Sequence, residues 1–298
     1  RPMTFVLPRR GKPAMMVYGL EVALVRDETW VDDVRGYVDV PFPPSLVVDT
    51  FRDLGLETGR IGCELGSEQR LWLTFQEFEA VRSALPRAQF VDASQVLKHS
   101  RQVKSAQEIA RIEEACKITE VAWELIRRRV HPGLSVAQAE RICLQSLIDA
   151  GSDPVTPGFI LLDVLGYGAD FKYRKGDLFF CDLGGSYRGY KADFTRLATF
   201  GPASDFFRQS HEQIMGVFNA VLQSMEPGKR CKDVADKFNS EVEAIGYPKL
   251  QGSKRIGHGL GLEHQESPSL NVVDETELVP GMVFTAEPRF VRVGHFIM

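Results

Sequence analysis

The sequence predicts an α/β chain in two parts, a small unit over residues 1–100 and a larger helix-and-strand unit over 101–298. Three observations predict it. In the first hundred residues, short apolar runs alternate with turns and amphipathic stretches. A basic, polar stretch, Lys98–Lys104, then separates them from a long helical pattern. Beyond that pattern the periodicity passes to strand-like apolar runs and back to helices.

In chain order, Thr4–Leu7, Ala14–Tyr18 and Ala23–Val25 read as strands, broken by Pro8–Pro13 and near Gly19. Ser45–Leu54 and Leu73–Leu85 read as helices around a strand at Ile61–Glu64. Ser105 and Glu108 have the spacing of a capping box. They open a helix whose Ile109, Ile112, Ala115, Ile118, Thr119, Ala122 and Trp123 keep helical spacing. Ser135 and Gln138 repeat the box, and a second helix runs to about Ala150. Strands at Leu178–Leu183 and Ala192–Phe200 follow, then helices at Asp205–Met225 and Cys231–Ile245. A glycine-studded stretch around His258 and a strand at Met282–Ala286 complete the order.

Composition narrows the function classes. With 36 basic and 40 acidic residues the net charge is −4, and no long basic run offers a nucleic-acid footprint. Arg127, Arg128 and Arg129 precede His131-Pro132-Gly133, as cations do in the last turn of a helix. Cys63, Cys116, Cys143, Cys181 and Cys231 are widely spaced and form no CxxC, so they read as reduced thiols of a cytoplasmic protein. No apolar run reaches the ~18 residues of a membrane span. His99, His131 and His211 read as structural. The chain opens on Arg1 in mid-strand and stops at Met298 inside an apolar run, so both ends read as cut.

The chemistry starts at Asp182, inside the buried-type strand Leu178–Leu183. A carboxylate there needs a partner, because an unpaired buried charge is very costly. The next strand brings Asp193, and Ser186-Tyr187-Arg188-Gly189 reads as the hairpin turn. A turn centred between Tyr187 and Arg188 sets Asp182 directly opposite Asp193. Like charges ~5 Å apart repel, and either a bound cation or a proton relieves them. His258 stands in Gly257-His258-Gly259-Leu260-Gly261, where the glycines let a ligand or a neighbouring backbone come close. Glu287 ends an apolar strand and Pro288 stops its ladder. Three carboxylates and one imidazole suit Mn²⁺, Co²⁺, Fe²⁺ or Zn²⁺, and the absence of cysteine argues against a structural zinc. Two ions ~3.5–4 Å apart sharing such ligands would acidify and orient a water for hydrolysis.

At these residues the sequence resembles the pita-bread metallopeptidases: methionine aminopeptidases, Xaa-Pro dipeptidases, aminopeptidase P and creatinase. GDLFFCDLGGSYRGYKADFTR is similar to their segment with the first two aspartate ligands, GHGLGLE to the histidine segment, and PGMVFTAEP to the first glutamate segment. The resemblance implies a pita-bread catalytic domain over 101–298, preceded by a creatinase-type N-terminal domain over 1–100. It implies Asp182, Asp193, His258 and Glu287 as ligands of two divalent ions, manganese foremost. Asp193 would bridge them, and Glu287 would also accept a proton from the attacking water. It implies a homodimer acting on a peptide or small-molecule substrate, with a Xaa-Pro peptidase as the leading activity. The alternatives are a creatinase-like hydrolase or lyase of a small metabolite and a non-catalytic binding protein.

The sequence departs from the pattern in three places. The family's fifth ligand, a glutamate beyond Glu287, has no candidate before Met298. The position seven residues after His258, usually histidine, is Gln265, with His264 just before it as a catalytic candidate. Gln251 and Lys254 stand where many Xaa-Pro peptidases keep another histidine.

Overall fold

The computed structural model describes residues 3–38, 42–66, 70–154, 156, 158–162, 168–252, 254–292 and 295–297. It separates into two compact units, 1–97 and 98–298.

In the first unit β1 (Thr4–Val6) pairs antiparallel with β2 (Ala14–Tyr18) across the proline break. The connection after β2 runs through α1 (Val22–Glu28) to β3 (Asp33–Tyr37), which lies parallel to β2. Parallel neighbours require a crossover and cannot be joined by a tight hairpin. Ala23–Val25, expected as a strand, is therefore helical: its apolar run is too short for periodicity to decide, and no residue of α1 is buried. The strand β3 was not anticipated, because its Arg35 and Asp33 look like loop residues. In the fold they pair with each other, and Arg35 also reaches Asp53.

The α2 helix (Pro44–Asp53) starts with proline at its first position, where no amide hydrogen is needed. After β4 (Gly59–Cys63), α3 (Phe75–Ala84) is held by a Thr74–Glu77 capping box, and β5 (Ala88–Asp92) lies parallel to β4. Val47, Val48, Phe51 and Val81 from the helices bury against Met16 and Tyr37. The division between the units falls within α4 (Ser94–Gln102).

In the second unit both capping boxes form as expected. Ser105 accepts from Glu108 N and Ser135 from Gln138 N, opening α5 (Ala106–Arg129) and α6 (Val136–Asp149). Next come β6 (Phe159–Leu161), β7 (Leu178–Gly184), β8 (Ser186–Tyr187), β9 (Tyr190–Lys191) and β10 (Phe194–Thr199). The β7 strand is the middle of an antiparallel sheet, between β10 and β6. Strand side chains alternate between faces. Phe179, Cys181 and Leu183 therefore share one face and pack with Ala122, Ile126, Ala139, Cys143 and Leu147 of α5 and α6. Phe180 and Asp182 take the other face.

Beyond the sheet, α7 (Asp205–Ser224) and α8 (Cys231–Ala244) form a second core. Ile214, Val217, Val221, Val234 and Phe238 surround Ile256 and Leu270 there. The short strands β11 (His258–Gly259) and β12 (Glu266–Ser269) pair antiparallel, as do β13 (Phe290–Arg292) and β14 (His295–Ile297). No helix among the described residues is long and apolar enough to cross a membrane.

Two expectations are corrected here. The hairpin register differs: Asp182 lies opposite Thr195, not Asp193. The turn's central residues are Arg188 and Gly189, with φ of 49° and 85°. A two-residue hairpin loop of this twist needs positive φ at both positions, which draws the turn onto Gly189 and moves every pair. Met282–Ala286 is not a continuous strand either; bridges form only at Met282 and Phe284. The segment still holds one antiparallel register against the histidine segment, with Leu260 N donating to Val283 O, Thr285 N to His258 O and Glu287 N to Ile256 O.

Loss of the Ser105 cap tests how firmly the long helix is seated. Ser105→Ala is expected to cost about 1 kcal/mol, read as a lower urea midpoint at an unchanged slope. An unaltered midpoint would show that the box adds nothing.

Candidate metal centre

The hairpin and the histidine segment each deliver two groups by the same geometry. Asp182 projects from β7, and Thr195 opposite it donates from Oγ1 to Asp182 Oδ1 at 3.2 Å. Asp193 is two residues from Thr195, so it shares that face and meets Asp182 on the diagonal, within reach of long or charged side chains. In the second segment His258 lies opposite Thr285, and Glu287 is two residues further on the same face. Glycines make both approaches possible. A Cβ on Gly257 would stand 2.1 Å from Thr285 O, and one on Gly184 would stand 1.8 Å from Ala192 O. The glycines beside the histidine thus serve neighbouring backbone.

Four sequence-selected residues come together. One ligand atom each from Asp193, His258 and Glu287 lies within 4.8 Å of the others. His258 is 1% exposed. Its Nε2 is 3.0 Å from Glu287 Oε1 and 3.5 Å from Asp193 Oδ2. Its Nδ1 meets Gly259 O at 2.9 Å. Donation there leaves Nε2 as the nitrogen for the cluster, the usual arrangement of a ligating imidazole. Thr285 Oγ1 donates to Glu287 Oε1 at 2.6 Å. Asp182 stands beside the trio, hydrogen-bonded to Asp193 and repelled by Glu287.

The electrostatics show what the group lacks. Burial, then the Glu287 charge, raises Asp182 to about 6. Burial, then Glu287 and Asp182, raises Asp193 to about 8. Burial pushes Glu287 the same way, but hydrogen bonds from His258 and Thr285 prevail and hold it below its ordinary value. Three carboxylates are thus crowded around one imidazole, and the proton affinity of Asp182 and Asp193 is raised, most at Asp193. The donor set, oxygen-rich with one nitrogen, fits a divalent cation.

The rim is organised by groups that sequence reasoning missed. Lys104 Nζ and Glu266 Oε2 form an ion pair at 3.3 Å, with side chains 3% and 6% exposed. Glu266 Oε1 also accepts from the amides of Leu262 and Glu263, so it ties the loop between β11 and β12. Nothing local in the sequence pairs residues 162 apart. His264 lies in that loop, outside the converging trio, with its ring edge-on to Phe159 at 4.4 Å. Its Nε2 is buried and has no hydrogen-bond partner among the described residues. Burial, then the charges of Lys191 and His258, lowers it to about 4. It is therefore neutral at neutral pH. Gln265 is exposed and accepts from Arg255 Nη2 at 2.5 Å. A separate cleft of about 340 Å³, with Leu178, Thr199, Phe207 and His211 in its wall, lies at the other end of the β7–β10 pair from Asp182. It holds none of the four residues.

Residues 110–297 match the model of metallopeptidase family M24, and residues 1–103 match the creatinase/prolidase N-terminal domain. The chain belongs to family M24. The curated relatives of this M24 chain include the peptidase YqhT of Bacillus subtilis, 27% identical over 92% of the chain and 79% of the relative. Another is a Xaa-Pro dipeptidase of Pyrococcus furiosus, 27% identical over 93% of the chain and 80% of the relative. Among solved structures, an X-Pro aminopeptidase from Thermotoga maritima superposes with a TM-score of 0.79 at 23% identity, covering 94% of this chain and 78% of the other. Dipeptidase PepE from Mycobacterium ulcerans gives 0.76 at 26% identity, covering 98% and 78%. The pita-bread fold behind a creatinase-type domain, expected from the sequence motifs, is the fold of this family member.

Two outcomes are expected. The raised aspartates make the metal-free fold hold protons that the unfolded chain, with carboxyls near ~3.9, has released. Their contribution to stability therefore falls as pH rises through that window, and added Mn²⁺ is expected to raise the melting temperature more at pH 8 than at pH 5. An equal rise at both pH values would contradict the proton-for-cation exchange. Asp193→Asn is expected to lower metal affinity at least about tenfold, the order of a lost charge-assisted contact, while circular dichroism stays unchanged. Parental affinity for the ions in this variant would remove Asp193 from the ligand set.

Proposed function

We propose that this M24 chain is a Xaa-Pro peptidase that uses divalent metal to hydrolyse the amide bond before proline. The observation that carries this is the convergence of Asp193, His258 and Glu287, with Asp182 beside them, in a chain with a creatinase-type N-terminal domain. The domains are taken as 1–100 and 101–298. Asp182, Asp193, His258 and Glu287 would hold the metal, which in this reading is a pair of divalent ions. Manganese is the first choice, and cobalt, zinc or iron follow. Such ions supply Lewis acidity toward a carbonyl oxygen and acidify water.

The chain's own residues do the rest. Glu287, to which Thr285 Oγ1 donates a hydrogen bond, accepts the proton of the attacking water. Thr285 and Thr195 orient Glu287 and Asp182. His264 faces the substrate as a neutral imidazole, giving a hydrogen bond rather than a proton. The Lys104–Glu266 pair keeps the loop that carries it in place. The protein acts as a cytoplasmic homodimer on a peptide substrate, without nucleic acid or membrane.

Gln265 supports a second reading. A glutamine can hydrogen-bond but cannot shuttle a proton, which suits a creatinase-like hydrolase or lyase of a small metabolite with the same metal ligands. The test is hydrolysis of a panel of proline dipeptides by metal-stripped protein, before and after Mn²⁺. Turnover that appears only with the ion is the expected result. Metal binding without turnover of any proline dipeptide would transfer the assignment to the non-peptide reading.

A further inference from the structure

The hairpin that carries Asp182 and Asp193 is held from outside as well as by its own ladder. Helix α6 ends at Asp149, and Gly151 follows in the left-handed conformation with φ of 98°. Ser152 N donates to Leu147 O, which stops the helix and turns its next two residues toward the hairpin. Ser152 Oγ accepts from Ser186 N at 2.7 Å and donates to Ser186 O at 3.2 Å. The carboxylate of Asp153 takes the turn itself. Its Oδ1 accepts from Arg188 N at 3.0 Å, and its Oδ2 accepts from Gly189 N at 2.8 Å and from Ser186 Oγ at 2.9 Å. Tyr187 and Tyr190 close the loop, so both central amides of the turn end on one carboxylate. The buried Lys191 donates to the same Ser186 Oγ at 3.1 Å and backs the contact with a cation. Burial pushes the Asp153 carboxyl up, but the hydrogen bonds from Gly189, Ser186 and Arg188 prevail and hold it below its ordinary value.

The register of the hairpin depends on this turn. Arg188 takes φ of 49°, a conformation unfavourable for a residue with a Cβ. Asn-Gly and Asp-Gly prefer such a loop by themselves, and Arg-Gly lacks that preference. A slip of one residue carries every side chain of a strand to its other face. Asp193 would then leave the face of Asp182. A slip of two residues keeps the face but takes Thr195 away from its place opposite Asp182. The three hydrogen bonds to Asp153 are available only when Arg188 and Gly189 are the central pair, so they select the observed register.

We propose that Asp153 is a positioning residue of the metal centre: its carboxylate clasps the Arg188–Gly189 turn and locks the register that sets Asp182 and Asp193 on one face. The inference rests on the reading of these two aspartates as metal ligands. Asp153 itself stays away from the ions and acts through the backbone of the turn. Ser152 and Lys191 support it through Ser186.

The test reads the turn and the metal separately, on the full chain. Amide hydrogen exchange at Arg188 and Gly189 is expected to be slow in the parent and fast in Asp153→Ala. Calorimetric titration with Mn²⁺ is expected to show binding about tenfold weaker in Asp153→Ala, the size of one lost charge-assisted hydrogen bond. Asp153→Asn, which keeps an acceptor oxygen, is expected to fall between the two. The deciding variant adds Arg188→Asn to Asp153→Ala. Asn-Gly is a pair this loop prefers, so most of the affinity is expected to return, although neither the carboxylate nor its charge does. Arg188 is exposed and outside the site, and Arg188→Asn alone is expected to bind Mn²⁺ as the parent does. Circular dichroism reports whether each variant folds, and if Asp153→Ala does not, Asp153→Asn with and without Arg188→Asn carries the same comparison. Parental affinity in Asp153→Ala overturns the proposal. So does a loss that the added Arg188→Asn leaves untouched, since Asp153 would then act by its charge or its packing. A parent that binds no Mn²⁺ removes the ligand reading, and exchange at the two amides then decides the clasp by itself.

Discussion

Three carboxylates and one imidazole share a largely buried space, and the mutual repulsion of the acids is the constraint around which the second unit is organised. Burial raises the cost of each charge, and proximity raises it again. The fold answers with a raised proton affinity at Asp182 and Asp193 and with hydrogen bonds from Thr195 and Thr285. A divalent cation relieves the same strain more completely, which links metal affinity, pH and stability at one place. The four groups sit on extended backbone whose partners are fixed by ladder hydrogen bonds, so they stay crowded instead of swinging apart.

Two hairpin-like ladders meet this demand in the same way. Each presents a polar hydroxyl opposite one site residue and the second site residue two positions along. Thr195 stands opposite Asp182 and Thr285 opposite His258. The hydroxyls donate to Asp182 and to Glu287. Glycine is required wherever the ladders pass close to other backbone, most tightly at Gly158, Gly184 and Gly257. The loop beyond His258 is then tied by Glu266, whose charge Lys104 balances in the interior. A buried ion pair of this kind contributes little net stability but leaves a heavy penalty if one partner is lost. Its effect is to fix where His264 and Gln265 stand.

Helices and the residues that converge at the site were readable from local signals. The Ser105–Glu108 and Ser135–Gln138 boxes mark two helix starts correctly, because capping is decided within four residues. The four ligand candidates stood out because a carboxylate in an apolar strand, or a histidine among glycines, is locally out of place. The hairpin shows how far this reaches. Placing the turn early put Asp182 opposite Asp193, yet the correct register keeps both on one face, since a shift of two residues preserves the side-chain period. The twist that demands positive φ at Arg188 and Gly189 belongs to the pair of strands, and no single strand reveals it. The α1 segment failed for a similar reason: its helix follows from the parallel pairing of β2 with β3.

By itself the sequence determined the family, the α/β organisation, the helix caps and the identity of the acidic and imidazole groups that converge, all of which depend on residue type and short spacing. Tertiary structure alone decided which residues surround that set. The Lys104–Glu266 tie, the edge-on contact of His264 with Phe159 and the placement of Arg255 against Gln265 and Ser269 join groups far apart in the chain or facing across strands. Such contacts follow from how sheets and loops stack, and the energy that selects them is summed over the whole core rather than written in any local stretch.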